Sequence, residues 1–459
     1  MRRATLFLMA VLIPGEAAAH AAERGLIMLL PTGYYLIGGA AAVAVTFLAL
    51  ALARKSWISA YCAAEVQIPL TVPRVGRVVQ WTACVAFLSL IFAGFAGSRD
   101  PLVNPLPLVI WTLWWVGFTA LVAALGDLWR WLNPWSAPVR MLRPIAGPPV
   151  VLPEWVGYWP AVLSLLSFAW FEIVHIAPDD PARLARAAAV YWLAHLIAMV
   201  IYGEDTWRAR GEAFSVFFAW IGRVGSSALA FPGLSLRLPG AALTGLPQLP
   251  LSGWLFAVAA IATVTFDGLS GTFWWLGLIG VNPLEFPGRS AVIAQNTIGL
   301  LATWIAMAAA FAGSVWLGGR LARSPVSPGT AIGRLALSLL PIALAYHIAH
   351  YLPVLLVNGQ YALLATTDPL GTGADWLGLG PWQVTTSFLT DLQQVETIWQ
   401  IQTGVIVVGH LLAVLVAHAI ALNLDPDPRR ALIAQVPLAG LMVLYTVLGL
   451  WLLSTPTGA

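Results

Sequence analysis

The chain is 459 residues long, 59% hydrophobic and only 9% charged, with a mean hydropathy of +0.82. Soluble proteins carry roughly 25% charged residues, so this composition excludes a soluble globular protein and indicates a polytopic membrane protein. The net charge is +3 and no basic cluster interleaves with polar or aromatic residues, which excludes a nucleic-acid surface.

Met1-Arg2-Arg3, an apolar stretch to about Pro14 and the sequence EAAAH read as a secretory signal, with cleavage after Ala19. The expected organisation is a signal peptide over 1–19 and one transmembrane helical domain over 20–459. His20 is then the mature N-terminus, where its amine and ring nitrogen can chelate copper. Apolar segments follow near 34–53, 80–97, 106–126, 158–176, 185–203, 252–282, 291–319, 335–357, 399–421 and 434–454, about ten spans of adequate length. The fold class expected is all-α. Many of the 23 Trp fall near the ends of these segments, as interfacial belts require. Cys62 lies in a basic loop and Cys84 in an apolar run, so neither a disulfide nor a cysteine metal motif is expected.

Segment 213–230 is also apolar, but Arg223 interrupts it and Pro232 follows. If it does not cross, Arg54, Lys55, Arg74, Arg77, Arg130, Arg140, Arg143, Arg208, Arg210, Arg320, Arg323, Arg429 and Arg430 share one side of the membrane. If it crosses, Arg320 and Arg323 part from Arg429 and Arg430. The positive-inside rule therefore predicts ten spans, 213–230 interfacial or re-entrant, and both mature termini outside the cytoplasm. The long loop 231–251 then caps the cytoplasmic surface, and 358–398 faces outward.

Polar residues at membrane depth mark the candidate site, because an unpaired carboxylate or imidazole in hydrocarbon is costly. Asp267 sits midway along 252–282, with Thr263 and Ser270 on the same stripe. His347 and His350 are three residues apart on one helical face. Glu396, Thr403 and His410 recur every seven residues on the following helix. His418 lies eight residues beyond His410, about 12 Å along a helix, too far for one ion to bind both. Two or three histidines with one carboxylate and an open position compose a catalytic site for a divalent metal ion such as zinc, copper or iron. The competing reading is of core histidines hydrogen-bonded across helices. Glu172, His175, Asp179 and Asp180 cluster at an outer edge, where Glu172 and His175, at i and i+3, could bind a metal and a solvated face explains them equally well. Glu204 and Asp205 with Arg208 and Arg210, and Asp127 with Arg130, read as structural ion pairs. The histidine spacings do not suit a pair of stacked haems.

YGEDTWRARGEAFSVFF (202–218), TFDGLSGT (265–272), PIALAYHIAHYLPVLL (341–356), QIQTGVIVVGH (400–410) and LGLWLLS (448–454) resemble a family of bacterial polytopic membrane proteins known as fenitrothion hydrolases. The resemblance covers nearly the whole chain after the signal. Members of that family often carry an aliphatic residue where this chain has His347. What the resemblance implies is hydrolysis of a neutral, lipophilic organophosphorus triester in the bacterial inner membrane. With the residues above, the expectation is a metal-dependent membrane hydrolase. His347 or His350, His410 and Asp267 would hold the ion and lower the pKa of a bound water. Glu396 or Asp391 would serve as base at the mouth. Two alternatives stand beside it: a transporter or metal-handling protein with an intramembrane His/Asp ion or proton path, and a non-catalytic membrane subunit of a larger protein complex.

Overall fold

The computed structural model describes residue 27 and residues 30–69, 76–230, 233–380 and 383–457. The signal peptide and His20 lie outside the described residues. Ten described helices are long and apolar enough to cross a membrane. They are α1 (Thr32–Ala51), α2 (Arg77–Ala96), α3 (Pro105–Leu125), α4 (Trp159–Ile173), α5 (Pro181–Tyr202), α7 (Leu251–Ser270), α8 (Ile293–Ala322), α9 (Leu340–Thr367), α10 (Leu392–Leu424) and α11 (Pro428–Ser454). Between α5 and α7 lies α6 (Ala213–Ile221). The protein is an all-α polytopic membrane protein.

Local chemistry sets several boundaries. Asn104 caps α3 by accepting from the Leu106 amide, and its own amide donates to the carbonyls of Ala93 and Ser98. One side chain thus joins the end of α2 to the start of α3, where Pro105 occupies the first turn that proline favours. Asp180 caps α5 in the same way, with Pro181 at its first position.

α6 has only nine residues, about 13 Å of helix, and cannot cross the hydrocarbon. The Glu212 carboxylate caps it, accepting from the amides of Phe214 and Ser215 at 3.0 and 2.6 Å and from the Tyr191 hydroxyl at 2.5 Å. Nearly every residue of α6 is buried, and Phe214, Phe217 and Phe218 meet Trp114, Trp115 and Phe168 ring to ring. Segment 213–230 therefore re-enters the bundle and does not lie along its surface. It leaves through a three-stranded antiparallel sheet of β1 (Glu65–Pro69), β2 (Ser227–Ala230) and β3 (Gly233–Arg237), ordered β1-β3-β2.

The ten crossings and the re-entrant α6 collect Arg54, Arg143, Arg210, Arg320 and Arg430 at one end of the bundle, the basic end. At the opposite end, the link between α9 and α10 carries Asp368, Asp375 and Asp391 and neither Lys nor Arg. The helices α7, α9, α10 and α11 form the enclosed centre. Small residues bring them together. A Cβ at Gly409 of α10 would lie 3.0 Å from the Pro341 carbonyl oxygen of α9, so those two helices approach closely there.

Two lengths differ from the sequence expectation. The span placed at 252–282 ends at Ser270, because the Gly271–Thr272 turn stops the helix and Thr272 caps the short helix Phe273–Leu278. Asp267 is therefore in the last turn of α7, near the end opposite Arg54, Arg320 and Arg430, and not at mid-membrane. The loop expected over 358–398 is shorter, since the apolar run after Pro353 keeps α9 helical to Thr367.

Candidate functional site

The site is built at the ends of α4, α7 and the adjoining stretch of α9. His350 on α9 places Nε2 2.8 Å from Asp267 Oδ2. The ring lies over Gly268, where a Cβ would make ordinary contact with its Cε1 and Nδ1 at 3.7 Å. The next residue, Tyr351, sets its hydroxyl 3.0 Å from Asp267 Oδ2 and 3.0 Å from Glu172 Oε1 at the end of α4. Arg289 donates Nη1 to the Glu172 carbonyl at 2.7 Å and reaches the His175 carbonyl at 3.4 Å. That satisfies free carbonyls at the C-terminus of α4 and places a positive charge beside the two carboxyl groups. Asp267 and His350 keep 24% and 23% of their side-chain surface exposed, so neither is sealed inside the bundle.

Hydrogen counting restricts what this chain of atoms can be. A tyrosine hydroxyl has one proton and can donate to one carboxylate. Its oxygen faces the other carboxyl at 3.0 Å, which is favourable only if that carboxyl carries a proton of its own. Both contacts are satisfied when Glu172 and Asp267 together hold one proton besides the hydroxyl's. In one arrangement Glu172 donates to Tyr351, which donates to Asp267, and Asp267 also accepts from His350 Nε2–H. In the other, Asp267 is protonated and donates to Tyr351, which donates to Glu172. Moving two protons by one hydrogen bond each interconverts them.

The remaining intramembrane histidines have other partners. His347 donates Nε2–H to the Trp115 carbonyl at 2.6 Å, which also accepts from Thr119 Oγ1 at 2.5 Å. Residues Leu108–Phe118 of α3 form a π-helix, a rare winding often found at functional sites, and this carbonyl lies within it. His410 donates Nδ1–H to the Ile406 carbonyl of its own helix at 2.8 Å. Its Nε2 is therefore the unprotonated nitrogen of a neutral ring, fully buried and without a partner among the described residues. The rings of Tyr346 and Tyr445 lie 6.1 and 5.9 Å away. The Thr265 hydroxyl donates to Ile261, so Tyr445 donates to Thr265 at 2.5 Å. Farther toward the basic end, His418 donates to Gln435 Oε1 at 3.2 Å, while the Gln435 amide nitrogen donates to the Ala431 carbonyl.

Of the expected metal set, His350 and Asp267 come together, whereas His347 and His410 are engaged separately on backbone carbonyls. Among the described residues no group of three or more His, Cys, Asp or Glu side chains is gathered to hold a metal. A catalytic zinc needs about three protein ligands, so these residues do not fit the divalent ion. Glu396 lies at the far end of α10, bonded to Gln400, whose amide also reaches Tyr35 of α1. It stands ten residues, about 15 Å, from Ile406, which lines a small cavity with His350. Asp391 caps α10 by accepting from the Gln394 amide. Neither joins Asp267.

Outside this region, His195 accepts from Trp207 Nε1 at 2.9 Å and faces the Ser164 hydroxyl at 3.4 Å, a structural role. Glu204 bonds Arg208 and Ser136, and Asp127 accepts from the Arg130 amide. Glu172 and Tyr351 are the site residues that sequence reasoning missed. The sequence offers Glu172 as a metal-binding partner of His175 or part of a solvated edge, not as a partner of Tyr351, which adjoins His350 within the polar stretch of α9. A scan of family models, a search of curated proteins and a search of solved structures each found no match to the chain.

Proposed function

We propose that this membrane protein conducts protons through the bundle of α7, α9, α10 and α11, with Glu172, Tyr351, Asp267 and His350 as the entry. The observation that carries this reading is the Tyr351 hydroxyl held 3.0 Å from each of two carboxyl groups, an arrangement suited to one shared proton. Intramembrane carboxylates and histidines commonly mark proton relays. A cavity of about 20 Å³, room for about one water, lies between His350 and Tyr346. Beyond it stands His410 with its free Nε2, then His418 with Gln435. The step from His410 to His418 spans about 12 Å and needs water between them. The concentration of arginine at one end favours an inner-membrane protein with that end in the cytoplasm. Infrared titration of the carboxyl C=O band tests the shared proton. One protonated carboxyl should persist through neutral pH and should shift or vanish in both Glu172→Gln and Asp267→Asn. Two ionised carboxylates at neutral pH would defeat the proposal.

A second reading follows from the resemblance to fenitrothion hydrolases. Asp267 accepts from His350 Nε2, which leaves Nδ1 as a base at the edge of the water-sized cavity. Such a pair could activate water against a neutral, lipophilic triester without a metal. Release of nitrophenol from fenitrothion by purified protein, lost in His350→Gln, would favour this reading over conduction.

A further inference from the structure

We propose that the cavity between α8, α10 and α11 at the basic end binds the headgroup of an anionic phospholipid. The cavity measures about 510 Å³, within the range of small-molecule sites. Arg320 and Arg323 line it, and among the described residues neither guanidinium has an ion pair or hydrogen bond. Arg320 only lies over the Trp316 ring, 5.5 Å from its centre. Arginines at a helix C-terminus are ordinarily explained by the helix dipole and by capping of carbonyls. Here no side-chain cap forms, and the Arg323 backbone itself closes α8 in a left-handed conformation, φ +50°, the one non-glycine case among the described residues. The cavity's carboxylate, Asp425, is already neutralised by Arg430 at 3.0 Å and accepts from Ser324 at 3.2 Å. Two unpaired cations therefore face an acceptor-poor space.

The rest of the wall decides what kind of anion fits. Trp316, Leu335, Ala421 and Leu424 give the wall its apolar part, and Trp316 together with Leu317 and Leu321 nearby on α8 is exposed. An apolar cleft beside cations at a helix end suits a molecule with a phosphate head and hydrocarbon tails. Gln435, which accepts from His418 at the end of the proton path, also lines this cavity, but lipid binding there does not depend on conduction.

The test is native mass spectrometry of the detergent-purified full chain with added phosphatidylglycerol, phosphatidylcholine or inorganic phosphate. Phosphatidylglycerol should stay bound, and Arg320→Gln with Arg323→Gln should weaken it roughly thirtyfold, as expected for two interfacial charges. Ala331→Phe fills the cleft while leaving both arginines, and should cause a similar loss. Arg54→Gln with Lys55→Gln removes two charges at the same end and should change nothing. Equal retention of phosphatidylcholine, retention by the filled or neutralised cleft, or displacement by millimolar phosphate would overturn the proposal.

Discussion

Tyr351→Phe removes a single oxygen and leaves the ring that packs against His347 and His350 at 5.0 and 4.7 Å. Both contacts of that oxygen, at 3.0 Å to Glu172 and to Asp267, disappear. Interhelical hydrogen bonds in membrane bundles average about 0.6 kcal/mol, so two give about 1.2 kcal/mol. Bonds to charged groups run to about 1.5–3 kcal/mol, which sets the upper bound. The variant should therefore fold, with a modest loss in thermal stability in detergent. Conduction should suffer far more, because the two carboxyls no longer share a route for their proton. Loss of a positioned proton-transfer group typically costs about 10²-fold or more. Combining Tyr351→Phe with Glu172→Gln should add little to either, since both cut the same link. Wild-type conduction in Tyr351→Phe, or strictly additive losses in the double variant, would refute the reasoning.

His410→Phe keeps an aromatic in place and removes only the bond to Ile406 and the free Nε2, so stability measured by thermal unfolding should change by about 0.6 kcal/mol while proton flux is lost. With Cys62 and Cys84 replaced by Ser, a cysteine at Gly373 should react with an impermeant reagent from outside and one at Gln248 should not; reversed labelling would invert the orientation. Arg430 and Ser324 hold the Asp425 carboxyl below the usual carboxylate range. A lowered native pKa stabilises the fold above the ordinary value and the gain is lost as pH falls through the native one. Asp425→Asn should therefore unfold at a lower temperature than wild type at pH 7, with the difference fading below about pH 4.

The ten crossings were legible because uninterrupted apolar length is a strong signal, and the placement of arginines alone indicated that 213–230 does not cross. Asp267 and His350 were legible as polar groups where hydrocarbon makes them costly. Their partners were not, because Glu172 meets Tyr351 only through the packing of α4 beside α7 and α9. The depth of Asp267 depended on where α7 stops, and the Gly271–Thr272 turn decides that against continuous hydropathy. The metal expectation misjudged His347 and His410 for a related reason. Sequence shows that a buried imidazole needs a partner but not that a backbone carbonyl can supply it, as Trp115 and Ile406 do. The three-stranded sheet escaped notice because its strands are four or five residues long and β1 lies far from β2 and β3 in sequence.

The most direct test of proton conduction uses purified protein in liposomes with an entrapped pH dye and a potential clamped by potassium and valinomycin. Wild-type protein should acidify or alkalinise the interior according to the sign of the potential, faster than empty liposomes. Asp267→Asn should abolish the flux, while Glu396→Gln, remote from the cluster, should leave it intact. Flux from wild type equal to that of empty liposomes, or undiminished in Asp267→Asn, would contradict the account.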